Sequence, residues 1–226
     1  IGGCFLDDLD VTDDMAAKVR TARNGVARRL TAPSTKSPMV LLVGRMVPEK
    51  GILECAAAVA RALAGHPEWE VVIVGATHFQ TAPPGSYEDK VKAVLAPLGS
   101  RARMTGFLPV DEVRSLQERA AIIACPSLWQ EPMGKTAIEA LAAGSALLTT
   151  RRGGIPEAAE GRAHIVDDPS VDSFADAIGR MVSDDHYRKS LQEAAWQDFP
   201  FTDIAMARDA DRIRAHAISA ALAPNK

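Results

Sequence analysis

The sequence predicts an α/β protein: a Rossmann-like parallel sheet of about six strands with helices on both faces. Three observations carry this expectation. Short apolar runs ending in glycine or a small polar residue alternate with helical stretches, as βαβ units require. Aromatics make up only 5% while Ala, Gly and Val are plentiful, which suits helices packed closely on a sheet. The 226 residues are enough to bury a sizeable core without disulfide or metal staples.

The elements follow in order. Residues 1–38 stand apart. Asp7, Asp8, Asp10, Asp13 and Asp14 precede any basic residue, and then Lys18, Arg20, Arg23, Arg28, Arg29 and Lys36 follow with no acid among them. Residues 32–38, APSTKSP, have a linker composition, so the stretch reads as a solvated arm and an interdomain remnant. MVLLVG (39–44) is the first strand and residues 52–64 its helix. EVVIVG (70–75) and the helix 87–98 repeat the unit. ARMTGF (102–107) pairs with helix 109–119, and AAIIACPS (120–127) with helix 135–143. SALLTT (145–150) and AHIVD (163–167) supply the last strands. Helices at 171–183, 185–197 and 202–221 close the chain, with Asp172 and Thr202 as expected N-caps. Residues 39–200 form the expected domain and 201–226 a terminal helix.

Composition narrows the function. The formal net charge of −3 argues against a generally basic nucleic-acid surface. Cys4, Cys55 and Cys125 are dispersed and form no CxxC pair, as in a reduced, cytoplasmic protein. No uncharged apolar run approaches the roughly 20 residues that span a bilayer. The chain opens on Ile1 instead of Met, as expected of a piece of a longer protein. No GxGxxG or GxxxxGK[ST] occurs, which disfavours dinucleotide oxidoreductases and P-loop NTPases. His66, His78, His164, His186 and His216 lack paired spacing, so no metal site is expected. His78 follows a strand and reads first as a loop histidine. Asp8-Leu9-Asp10 and Asp209-Ala210-Asp211 match DxD by chance, since neither follows a strand.

Ligands of such sheets bind at the carboxyl ends of the strands. The first segment there is VGRMVPEKGI (43–52), where Arg45 and Lys50 flank a helix start. Two cations at a helix N-terminus suit a diphosphate, and Gly44 lets the backbone come close. The second is PSLWQEPMGKTAIEALAAG (126–144). Glu131 and Glu139 have seven residues between them, and carboxylates are acceptor-only groups that suit sugar hydroxyls. Amides around Gly134, Lys135 and Thr136 open a helix and can hold an anion. Trp129 fits either a cover over a sugar or core packing. The third is RRGGIPE (151–157), whose Gly153-Gly154 marks a crossing from strand to helix.

The ordered set GRxxxEKG, TGF, PSxxxEPxGxxxxEAxAxG and GGIPE resembles the carboxy-terminal, donor-binding domain of GT-B fold retaining glycosyltransferases of family GT4. The likeness covers roughly residues 40–197. It implies one half of a GT-B fold and a nucleotide-diphosphate sugar as donor substrate, with no cofactor. The positions of Arg45 and Lys50 would hold the diphosphate, Glu131 the donor-sugar hydroxyls and Glu139 the ribose. Met133, Gly134, Lys135 and Thr136 would lie by the sugar and phosphate, with Phe107 and Leu108 lining the base. Arg45, Lys50 and Glu131 would carry the chemistry. Many relatives have Phe where Met133 stands, and Ala76-Thr77-His78 is less typical. The amino-terminal half, which would hold a glycan or lipid-linked acceptor and could touch a membrane surface, has no counterpart here, although Asn24-Gly25-Val26 resembles the crossover between the halves. In relatives the terminal helix crosses back to that half. A nucleotide-sugar-binding module without transfer activity, and a related epimerase or phosphorylase, would present the same donor residues.

Overall fold

The computed structural model describes residues 24–77, 85–197 and 199–222, with side chains to residue 219. The expectations placed on Cys4, on the acidic and basic residues before Asn24, including Asp8-Leu9-Asp10, and on His78 lie outside the described residues. The elements in order are β1 (Ser37–Val43), α1 (Ile52–Ala62), β2 (Glu70–Val74), α2 (Tyr87–Leu95), β3 (Ala102–Met104), α3 (Val110–Arg119), β4 (Ala120–Cys125) and α4 (Lys135–Ala142). β5 (Ala146–Thr150), α5 (Ile155–Ala159), β6 (Ala163–Val166), α6 (Val171–Ser183), α7 (Asp185–Trp196) and α8 (Asp203–Leu222) follow.

The six strands form one sheet in the order β3-β2-β1-β4-β5-β6, every pair parallel. Successive residues of β1 face opposite sides because a strand has a period of two. Val40 and Leu42 enter the core beneath α1, α2 and α6. Met39 and Leu41 enter the second core, shared with α3, α4 and α5. Both faces are covered, which is why the strands are continuous apolar runs and not alternating ones. None of the described helices is long and apolar enough to cross a membrane.

Three local expectations are corrected. β3 stops at Met104, short of residue 107, because Gly106 turns at φ +68° and its carbonyl accepts the Gly75 N–H at 2.8 Å. Asp172 does not cap α6: Ser170 does, in a reciprocal capping box with Ser173. Asp172 pairs instead with Arg61 at 2.6 Å. Thr202 does take the capping role, its Oγ1 accepting from the Ala205 N–H at 3.1 Å. On α8, Asp209 and Asp211 pair with Arg212 and Arg214 at 3.0 and 3.1 Å, as ordinary i,i+3 surface pairs.

The solvated arm is also corrected at two of its described side chains, Arg28 and Lys36, while most of residues 24–38 are exposed as expected. Arg28 donates to the carbonyls of Ala142 and Trp196 and stacks 4.1 Å over the Trp196 ring. Lys36 Nζ donates to the carbonyls of Glu118 (2.8 Å) and Ala143 (2.7 Å) and to Ser145 Oγ (3.2 Å), tying the start of β1 to the ends of α3 and α4. Three acceptors match an ammonium group. Burial pulls Lys36 down to about 8, against the charge of Glu118. Because the unfolded lysine keeps its proton to higher pH, the unfolded state binds more protons between the two values, and folding stability gains with rising pH there. The stability difference between the wild type and Lys36→Met is therefore expected to shift in favour of the wild type from pH 8 to pH 10, measured by urea unfolding. A pH-independent difference would contradict the burial of this amine.

Candidate functional site

The sheet order reverses between β1 and β4, and the crevice outside their carboxyl ends is where open α/β sheets bind ligands. Two loops border it. The β1 loop runs from Gly44 through a 3-10 turn, Pro48–Lys50, into α1. The β4 loop runs from Pro126 to Gly134 and into α4. The Glu49 carbonyl staples them together, accepting from the N–H groups of Leu128 (2.9 Å) and Trp129 (3.1 Å). Gly153 and Gly154 brace the second loop from behind: the Gly154 N–H donates to the Glu131 carbonyl at 2.7 Å.

The staple sets side chain against side chain. Lys50 Nζ donates to Glu131 Oε1, a pair whose side chains are 25% and 14% exposed. The hydroxyl of Ser127, itself buried, donates to the same oxygen at 2.9 Å. Gly44, Lys50, Glu131, Gly134, Lys135 and Thr136 line one cavity. Sequence reasoning nominated all six. α4 begins at this cavity, on Gly134 in the left-handed region at φ +69°. A Cβ there would sit 2.7 Å from Ile155 Cγ1, so glycine is needed for α5 to pack under the start of α4. No capping side chain serves α4, and the backbone N–H groups of Gly134, Lys135 and Thr136 have no acceptor among the described residues. These unpaired donors and the helix dipole favour an anion.

Other nominated residues are not brought to that cavity wall. Arg45 is exposed on the β1 loop and makes no ion pair among the described residues. Met133 is 5% exposed and packs in the core, its Sδ accepting the Asn24 N–H at 3.2 Å. Phe107, 46% exposed, and the half-buried Leu108 lie on the loop from β3 to α3. Trp129 is 55% exposed, which decides against core packing for it. Glu139, one turn into α4, lines an adjacent cavity with Lys135 and Gln117.

Cys125 ends β4 in the cavity wall. Burial pushes its thiol up to about 12, reinforced by the charge of Glu131 and opposed by Lys50. It therefore stays protonated and is no nucleophile at neutral pH. Ser127 and Gln117 are functional candidates that the sequence expectations omit. Ser127 lies within residues 126–144, where its place at the end of a strand is a usable signal. Gln117 falls on the apolar stripe of α3 beside Val113 and Leu116, where a polar residue is itself informative.

The family described as glycosyl transferases group 1 matches residues 27–198. A D-inositol 3-phosphate glycosyltransferase of Corynebacterium jeikeium is 32% identical over 176 residues, which cover 75% of this chain and 41% of that protein. The chain thus spans about two fifths of the length of the curated relatives it matches. Among solved structures, the carboxy-terminal domain of a glycosyl transferase group 1 family protein (LpcC) from Francisella tularensis aligns with a TM-score of 0.64 and 23% identity, covering 80% of this chain and 98% of that one. Anabaena HepE in complex with UDP-glucose aligns with a TM-score of 0.67 and 20% identity, covering 81% and 49%. At these identities the two structures bear on the fold, which is the doubly wound one described above.

Proposed function

The chain belongs to the glycosyl transferases group 1 family, and from that premise we propose that it is the donor-binding half of a retaining glycosyltransferase acting on a nucleoside diphosphate sugar. One observation carries the reading. At the point where the sheet reverses, a lysine–carboxylate pair and the unpaired N–H groups of α4 share one cavity. That combination offers positive potential for a diphosphate beside an acceptor for sugar hydroxyls. HepE was solved with UDP-glucose, which is consistent with such a ligand for a protein of this fold.

In this reading Arg45, Lys50 and the start of α4 hold the diphosphate. Gly44 lets the backbone approach it. Glu131 accepts from hydroxyls of the transferred sugar, and Glu139 from those of the ribose. The segment of Phe107 and Leu108 lines the base, and Met133 supports the loop from beneath. As the bond to the sugar breaks, negative charge grows on the leaving diphosphate. Fixed cations and aligned amides stabilise that charge without reorganising, which is how a preorganised site lowers a barrier. Retention places the acceptor hydroxyl on the same face as the leaving group, where the diphosphate helps take its proton. The acceptor would be held by a domain beyond this chain.

A thermal-shift panel of uridine, guanosine and adenosine diphosphates and their sugars tests this. Stabilisation follows the ratio of free ligand to Kd, so the panel ranks donors directly. At least one diphosphate is expected to raise the melting temperature, while sugar transfer by this chain alone stays negligible. A flat response across the panel would refute the donor reading. Robust transfer would refute the assignment of the chain as half of the machinery.

A further inference from the structure

Glu139 is held by a residue from a different element. Gln117, in the last turn of α3, is 3% exposed, and its Nε2 donates to Glu139 Oε2 at 3.1 Å. Gln117 is fixed in turn: its carbonyl accepts the hydroxyl of fully buried Ser145 at 2.9 Å, and Ser145 Oγ also accepts from Lys36. A hydrogen-bonded chain therefore runs from the start of β1, through the ends of α3 and α4, to one carboxylate oxygen in the cavity beside the crevice. The other oxygen, Oε1, faces the exposed Lys135 amine at 3.8 Å. That distance is beyond a hydrogen bond, so Lys135 attracts Glu139 without fixing its orientation.

We infer that Gln117 is a positioning residue that sets the selectivity of the site for an intact ribose, by holding the Glu139 carboxylate where it can accept from the ribose hydroxyls. The inference rests on the donor reading above, in which Glu139 meets the ribose. The physics is preorganisation. A glutamate on the first turns of a helix, beside an exposed lysine, has several rotamers, and ordering it on binding costs affinity. A buried amide that donates to one oxygen removes that cost and leaves lone pairs on both oxygens for the ligand. An amide also fits better here than an ammonium or guanidinium: it orients the carboxylate without neutralising it.

The test compares uridine and guanosine diphosphates with their 2′,3′-dideoxy counterparts, by calorimetry on the wild type, Gln117→Met and Glu139→Leu. The wild type is expected to prefer the ribose forms. Gln117→Met keeps the length and bulk of the side chain and removes the donor. It is expected to weaken the ribose forms about tenfold, or roughly 1.4 kcal/mol, and to leave the dideoxy forms unchanged. A merely structural role would weaken both forms alike, and that result overturns the inference. If Gln117→Met melts too low for calorimetry, Gln117→Asn, which withdraws the amide by one methylene, is expected to give the same selective loss. If Glu139→Leu abolishes the ribose preference while both Gln117 variants keep it, Gln117 is refuted and the donor reading stands. If Glu139→Leu, which has no acceptor, keeps the preference, the ribose contact of Glu139 is wrong and the inference falls with it.

Discussion

Alanine at Lys50 is expected to lower affinity for nucleoside diphosphates roughly a hundredfold, about 2.7 kcal/mol, while the melting temperature falls by only a few degrees. Two effects add. On the donor reading, the variant removes a charge-assisted donor to the phosphate oxygens, and such bonds contribute about 1.5–3 kcal/mol. It also uncovers Glu131, which now meets the incoming anion with its full charge. The stability cost stays small because the pair is not deeply buried, at 25% and 14% exposure, and the Ser127 hydroxyl still serves Glu131. The double variant Lys50→Ala/Glu131→Gln separates the two effects. It is expected to regain part of the lost diphosphate affinity, since the repulsion is gone while the lost donor is not restored. Calorimetry on the two variants and the wild type is sufficient. Unchanged diphosphate affinity in Lys50→Ala would remove the phosphate role from this residue, and no recovery in the double variant would remove the repulsion.

The site was legible where chain neighbours build it. Lys50, Glu131 and Gly134 lie in loops that follow strands, Thr136 opens the helix after the second loop, and hydrophobic runs mark those strands directly. The six strands and the order of their helices were readable for the same reason: a parallel sheet buried on both faces writes itself as apolar runs. What the sequence hid was tertiary. Gln117 and Glu139 are 22 residues apart and meet only because α3 and α4 lie side by side. The charges of Arg28 and Lys36 suggested solvent, but their partners are helix-end carbonyls and aromatic rings far along the chain. Charge is visible in a sequence; an unpaired carbonyl at a helix terminus is not. Asp172 and Ser170 are both good N-caps, and the choice depends on which residue keeps extended backbone, here Ser170 at φ −143°.

The spacing of the two loops also depends on Gly51, and Gly51→Ala is expected to disrupt both folding and binding. Gly51 joins Lys50 to α1 in the left-handed region, at φ +63° and ψ 19°. Its N–H donates to the Pro48 carbonyl at 2.9 Å, and its own carbonyl accepts from Cys55 at 3.1 Å, so the turn cannot simply flip. A Cβ at this position would lie 2.1 Å from the Pro126 carbonyl oxygen and 3.3 Å from Leu128 Cγ. The first of these is backbone of the facing loop, which cannot rotate away as a side chain tip could. Left-handed strain costs about 1–2 kcal/mol and forced overpacking about 1–3 kcal/mol. Together they predict a loss of roughly 2–5 kcal/mol and, for a domain of this size, a fall in melting temperature on the order of 10 °C. Relief of the overlap must push the β1 loop away from the β4 loop, stretching the Glu49 staple and parting Lys50 from Glu131. Diphosphate affinity is therefore expected to fall even at temperatures where the variant is fully folded. Gly65→Ala is the control, because a Cβ there meets nothing within 4 Å. It should melt close to the wild type and bind equally well. Gly51→Ala melting with the wild type would mean that the loops are not in contact here. Normal binding by a destabilised Gly51→Ala would mean that their spacing does not set the site.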